Sequence, residues 1–162
     1  MLYRRLPRID IPRGTYFITC CIDKQRPLLR RKAPAQLIVQ LYAEARDRDE
    51  IAPHGYVVMP DHYHVVLTLR KEESLSALVR KVHSLFWRRG VQWLPENVGR
   101  VWQRRFYDHV VKSEADWEEC VAYVHANPVK RGLVQDPVSY QWSSCGYWEK
   151  GEGLRCDPPW DS

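Results

Sequence analysis

Hydrophobic positions recur along this chain with two different periods. Residues 14–22, GTYFITCCI, are rich in β-branched and aromatic side chains and predict a strand. Residues 34–50 change period: Leu37, Ile38, Leu41, Tyr42 and Ala45 fall on one helical stripe, with Pro34 suited to the first turn. Glu44 and Arg48 make an i, i+4 pair on the exposed side of this helix. Residues 55–59, GYVVM, predict a second strand. Pro60 and Asp61 then form a tight connection into residues 62–69, HYHVVLTL, which predicts an antiparallel hairpin. Leu75, Leu78, Val79, Val82 and Phe86 make the buried stripe of a second helix, with Ser74 as N-cap and Gly90 as its stop. Residues 91–100 read as a loop and residues 101–111, VWQRRFYDHVV, as one or two short strands. Ser113 caps a third helix, in which Trp117, Cys120, Val121 and Val124 have core spacing and Pro128 marks the end.

This order of elements suits an α+β domain, and the arrangement it predicts is ferredoxin-like: an antiparallel sheet with helices packed on it. The chain has 162 residues, enough for one domain with a core. The domain is expected over residues 1–134, with an extended basic arm at 1–13 that carries Arg4, Arg5, Arg8 and Arg13. That arm suits contact with phosphates, or simple solvation. After Gly132 the sequence turns irregular and aromatic. A short helical turn is expected around Trp142 to Cys145, in a tail over 135–162 that docks on the domain through its tryptophans or wanders.

Charge narrows the choice of partner. The net charge is +5, with a pI near 9.0, which favours an acidic partner such as nucleic acid. The first residues lack the apolar stretch of a signal peptide, and no run of about 18 apolar residues predicts a membrane span. The five cysteines form no C-x-x-C pair, so reduced thiols in a cytoplasmic protein are expected.

The candidate chemistry centres on His62 and His64. On a strand they share one face, with Val66 and Thr68, while Tyr63, Val65, Leu67 and Leu69 line the other. Two imidazoles about 7 Å apart along a strand can converge on one cation. Tyr123 and Asn127 are four apart on the third helix and share a face at the rim of its apolar stripe. His125 points away from them and reads as structural, and His83 as a surface or partly packed histidine. Two histidines and an Asn amide oxygen, with no thiolate, suit Mg²⁺ or Mn²⁺. A tyrosine beside such an ion can act as a covalent nucleophile. With a basic protein around it, the natural electrophile is a nucleic-acid phosphodiester. Arg104 and Arg105, interleaved with Trp102, Phe106 and Tyr107, suit either phosphate contact and base stacking or a core strand with two solvated arginines.

H-x-H on a strand followed by a single helical tyrosine resembles the HUH single-tyrosine transposases. MPDHYHVVL (59–67), WQRRFYDHVV (102–111), YVHANPVKRGLV (123–134) and YQWSS (140–144) resemble one branch, the REP-associated tyrosine transposases. The resemblance implies the HUH endonuclease fold, with His62, His64 and Asn127 as metal ligands and Tyr123 as nucleophile. Asn127, where insertion-sequence relatives tend to have Gln, points to the REP-associated branch. Asp61 and Tyr63 depart from the expected Asn and small apolar residue, without touching the ligand set. The implied reaction is attack on single-stranded DNA beside an imperfect palindromic hairpin, giving a 5′-phosphotyrosine link and a free 3′-OH, in the bacterial cytoplasm at the nucleoid. Lys130 and Arg131, with Arg104 and Arg105, are the candidate phosphate contacts. Monomer and homodimer both stay open.

Two other classes compete. A non-catalytic nucleic-acid module could use the same sheet, although the K/R-G-F/Y signature of RNA-recognition folds is missing. A phosphodiesterase with paired H-x-[ST] motifs would need motifs that this sequence lacks.

Overall fold

The computed structural model describes residues 10–158, so the expectations for Arg4, Arg5 and Arg8 fall outside the described residues. The elements are β1 (Thr15–Cys21), α1 (Lys32–Asp47), β2 (Ile51–Val58), β3 (His62–Leu69), α2 (Leu75–Gly90), β4 (Tyr107–Val110), α3 (Glu114–Lys130) and α4 (Cys145–Lys150). The strands form one antiparallel sheet in the order β2-β3-β1-β4. Two β-α-β units interleave in it, which is the ferredoxin-like arrangement expected from the sequence.

Strand alternation divides the sheet between two cores. Tyr16, Ile18 and Cys20 of β1, with Tyr63, Val65 and Leu67 of β3, face α1 and α2 and build the larger core. Phe17, Val57 and Val66 face the other way, where Val121 and Val124 of α3 cover them. His62 and His64 are on this second face, so the core beneath α3 is also the wall of the site. Ser74 and Ser113 cap α2 and α3 by accepting from Ala77 N–H and Asp116 N–H, each at 3.1 Å; such caps contribute roughly 1 kcal/mol.

Several boundaries differ from the sequence reading for physical reasons. The helix α3 does not stop at Pro128. Proline near a helix end forfeits one hydrogen bond, here to the Val124 carbonyl. The last turn closes instead through Arg131 N–H to Asn127 O, 3.0 Å, and Leu133 N–H to Pro128 O, 2.9 Å. The helix α2 does end at Gly90, as expected, but with a φ of −108° and a short 3-10 turn after it. The missing side chain of Gly90 serves packing: a Cβ there would lie 2.9 Å from Leu37 Cδ2. Residues 101–106 form no strand beyond one bridge between Ile22 and Trp102. The backbone there is held by Gln103 N–H to Cys21 O, 2.9 Å, and just before it by the Arg26 guanidinium, which donates to the carbonyls of Val98 and Arg100.

The C-terminal helix lies at Cys145–Lys150, later than the expected turn. Just before it, Val58 N–H donates to Trp142 O at 2.8 Å and Ser144 N–H to Tyr56 O at 2.9 Å, along the outer side of β2. Trp148 Nε1 donates to His54 O at 2.8 Å. Among the described residues no helix is long and apolar enough to cross a membrane.

Candidate active site

The register of the sheet assembles the site. β1 pairs with β3 so that Thr19 lies opposite His64 and Cys21 opposite His62. The hairpin after Met59 sets Asp61 beside the first histidine. From the other side, α3 brings Tyr123 and Asn127 over the same patch.

The two imidazoles meet at their Nε2 atoms, 3.1 Å apart. His62 Nδ1 lies 2.6 Å from Asp61 Oδ1. A carboxylate only accepts, so Nδ1 carries the hydrogen and Nε2 of the neutral ring carries a lone pair. His64 Nδ1 lies 2.7 Å from Thr19 Oγ1, and the Asn127 amide nitrogen lies 3.2 Å from His64 Nε2. That contact makes His64 Nε2 an acceptor as well. Burial first, then the His62 ring and the Arg131 charge, pull His64 down to about 3, so it is neutral at physiological pH. The two Nε2 atoms thus converge across 3.1 Å, and with both rings neutral their lone pairs would share a cation placed between them. Turning the Asn127 amide by half a turn exchanges its nitrogen for Oδ1 without changing its shape and supplies an oxygen to the same point. The donor set, two neutral imidazoles and an amide oxygen, fits a divalent cation with positions left open.

Tyr123 stands beside this cluster. Its ring centroid is 5.5 Å from that of His64 and 5.8 Å from that of Phe17, and Phe17 stacks on His64 at 5.3 Å. The tyrosine is 46% exposed, while Asn127, one turn on, is buried. Lys130 Nζ lies 5.3 Å over the Tyr123 ring. Arg131 reaches back to Asp61, with its guanidinium 3.3 Å from both carboxylate oxygens.

Residues 11–127 match the family model of IS200-like transposases. The chain belongs to this family. It is a single-tyrosine transposase, and the relatives it resembles lie on the branch expected from Asn127. It is 28% identical to the REP-associated tyrosine transposase of Escherichia coli (strain K12) over 139 residues, 85% of this chain and 79% of that protein. The structure of a REP-associated tyrosine transposase bound to a REP hairpin superposes with a TM-score of 0.75 at 23% identity, over 98% of this chain and 91% of the other. At that identity the likeness is one of fold.

Within this transposase the residues singled out from sequence fall in two places. His62, His64, Tyr123, Asn127, Lys130 and Arg131 come together around one point. Arg104 and Arg105 are exposed in the segment before β4 and line a separate groove. His125 is structural, with Nε2 2.7 Å from Ser144 Oγ. Of the two readings of His83, the partly packed one holds: it stacks on Trp102 and bonds the Tyr63 hydroxyl at 2.9 Å. Burial pushes the Tyr63 phenol well above its usual range, which keeps it protonated.

Sequence reasoning gave no site role to Asp61, Thr19 or Phe17. Asp61 was legible as the neighbour of His62. Thr19 and Phe17 become visible only once the β1–β3 register is known. A further group, His109, Asp116 and Cys120, has ligand atoms within 4.8 Å of one another at the start of α3, apart from the H-x-H pair. Hydrogen bonds hold its histidine and carboxylate: the Asp116 carboxylate accepts from Lys112 N–H at 3.0 Å and bonds His109 Nε2 at 2.8 Å.

Proposed function

We propose that this transposase cleaves and rejoins single-stranded DNA beside imperfect palindromic hairpins through a covalent link to Tyr123. The observation that carries the reading is the half-exposed Tyr123 ring set against His64, whose Nε2 converges with that of His62 and with the Asn127 amide. The E. coli relative named above and the hairpin-bound transposase of the same fold support a hairpin substrate.

His62, His64 and Asn127 would hold Mg²⁺ or Mn²⁺. Bound there, such an ion withdraws charge from a non-bridging phosphate oxygen and makes the phosphorus more electrophilic. Thr19 and Asp61 fix the two imidazoles with both Nε2 atoms aimed at one point. Phe17 supports the His64 ring from below and meets the edge of Tyr123, which limits where the phenol can stand. The Tyr123 oxygen forms a bond to phosphorus as the bond from phosphorus to the 3′ oxygen breaks. The phenol proton leaves to solvent, and the departing oxygen takes one up as a 3′-OH. The phosphodiester energy is kept in the tyrosine ester, so a 3′-OH can reverse the step and join strands.

The test is a denaturing gel with 5′- and 3′-labelled hairpin DNA in the presence of Mn²⁺. The parent protein should form a denaturation-resistant adduct with the 5′-phosphate side of the break, and peptide mapping should place it on Tyr123. Tyr123→Phe should bind the same DNA and form none. An adduct in that variant, or one mapped to the nearby exposed Tyr107, overturns the assignment.

A further inference from the structure

A second group of ligand-type side chains stands apart from the H-x-H pair, where β4 meets the start of α3. His109 lies opposite Phe17 in the β1–β4 ladder, so its ring rises from the sheet face that α3 covers. Asp116 and Cys120 are one turn apart on α3 and share one side of the helix. His109 Nε2 lies 2.8 Å from Asp116 Oδ1, and Cys120 Sγ lies 3.9 Å from the same oxygen. The three ligand atoms all lie within 4.8 Å of one another. The carboxylate is fixed from behind: Lys112 N–H donates to Oδ2 at 3.0 Å, and Asp116 N–H is held by Ser113 Oγ at 3.1 Å.

These bonds account for the histidine and the carboxylate but not for the thiol. Burial first, then the charge of Asp116, pushes Cys120 up to about 11, so without a cation it stays protonated beside the carboxylate. A tetrahedral Zn²⁺ held by imidazole, carboxylate and thiolate sets N and O about 3.3 Å apart and S and O about 3.6 Å apart. The observed spacings differ from these by about half an ångström or less, within reach of small side-chain rotations. Nitrogen, oxygen and sulfur donors together suit Zn²⁺, whereas Mg²⁺ takes oxygen ligands. The side chains of His109 and Asp116 are 41% and 24% exposed, which leaves an entry path and room for water as a fourth ligand.

We propose that His109, Asp116 and Cys120 form a Zn²⁺ site that ties β4 to the first turns of α3. On binding, Cys120 gives its thiol proton to solvent. Neutral His109 carries its hydrogen on Nδ1, so that the Nε2 lone pair meets the metal. Tyr123 follows Cys120 by less than one turn, and its ring meets Phe17, the residue opposite His109. The tie therefore sets the helix that carries Tyr123 against the sheet that carries His62 and His64. The site is separate from the one proposed for Mg²⁺ or Mn²⁺, and its existence does not rest on the proposed reaction.

The test uses protein carrying both His62→Ala and His64→Ala, which removes the other metal candidate. Titrated with Co²⁺ as a coloured substitute for Zn²⁺, it should bind one equivalent. The complex should show a thiolate-to-metal charge-transfer band and the strong visible bands of a four-coordinate ion, and Zn²⁺ should bleach both. Adding Cys120→Ser should remove the charge-transfer band. It should also weaken Zn²⁺ binding by more than the roughly 10–100-fold that loss of an outer partner costs. Zn²⁺ should raise the unfolding temperature of the double variant and leave that of the triple variant unchanged. A measurement with the site intact guards against a folding defect: in the double variant, Zn²⁺ should protect Cys120 from iodoacetamide and leave Cys21, the other half-buried cysteine, as reactive as before. No saturable Co²⁺ binding, a charge-transfer band that survives Cys120→Ser, or alkylation of Cys120 at the same rate with and without Zn²⁺ would each overturn the site.

Discussion

Asp61 and His62 are neighbours in the chain, and their side chains also meet, with Oδ1 2.6 Å from Nδ1. The carboxylate fixes the histidine tautomer and adds negative charge behind the ring, while Arg131 holds the far side of the same carboxylate. Asp61→Asn keeps the shape and removes the charge. It should weaken Mn²⁺-dependent cleavage by roughly 10–100-fold, the range found for residues that orient a metal-binding histidine. Metal titration of the cleavage rate measures this, and a curve identical to that of the parent would show that Asp61 has no such role.

His62→Ala and His64→Ala should each abolish metal-dependent cleavage and leave hairpin binding largely intact. Both rings serve the cluster rather than the larger core, which Tyr63, Val65 and Leu67 supply from the opposite face of β3. Full cleavage in either variant, at matched DNA occupancy, would remove that histidine from the site.

Much of this was legible because it depends on local periods. Alternation in β3 put both histidines on one face, and the four-residue spacing on α3 put Tyr123 and Asn127 together. What was hidden depends on distant chain. Thr19 joins the site through a register that spans 45 residues, and Trp102 serves as a stacking partner of His83 instead of a strand residue. Pro128 misled because the rule against proline concerns helix interiors, and here it acts on the final turn alone.

Arg104, Arg105, Lys130 and Arg131 should meet DNA phosphates from two separate places, the groove and the site. Neutralising each one should lower the log–log salt slope of DNA affinity by roughly 0.7 where it faces a single strand and 0.9 where it faces duplex. Binding isotherms at several salt concentrations test this. If the fourfold variant kept both affinity and slope, the DNA would follow another path.

His83 makes stability depend on pH. It is buried as a neutral ring, and burial lowers its folded value from the usual 6.5 to about 3. Below pH 6.5 the unfolded chain takes up a proton that the folded chain refuses. The contribution is therefore fully present above pH 6.5 and is lost as pH falls toward 3. By pH 5 the loss should be on the order of 2 kcal/mol. Urea unfolding at pH 7 and pH 5 measures it, and His83→Gln should show a smaller difference between the two conditions. An equal difference in both proteins would place the acid sensitivity elsewhere.

The segment that lies along the outer side of β2 leaves the sheet lopsided. A strand at the margin of a sheet offers unpaired backbone groups to any extended chain that approaches. On the β2 margin the backbone groups of Tyr56 and Val58 are already taken by Trp142 and Ser144. Any strand that extends this sheet, from a second copy or from a misfolded neighbour, has β4 as its template. That margin is four residues long and begins at Tyr107, whose ring meets Phe17 beside the site, so a strand added there would crowd the entrance to the His62–His64 pair.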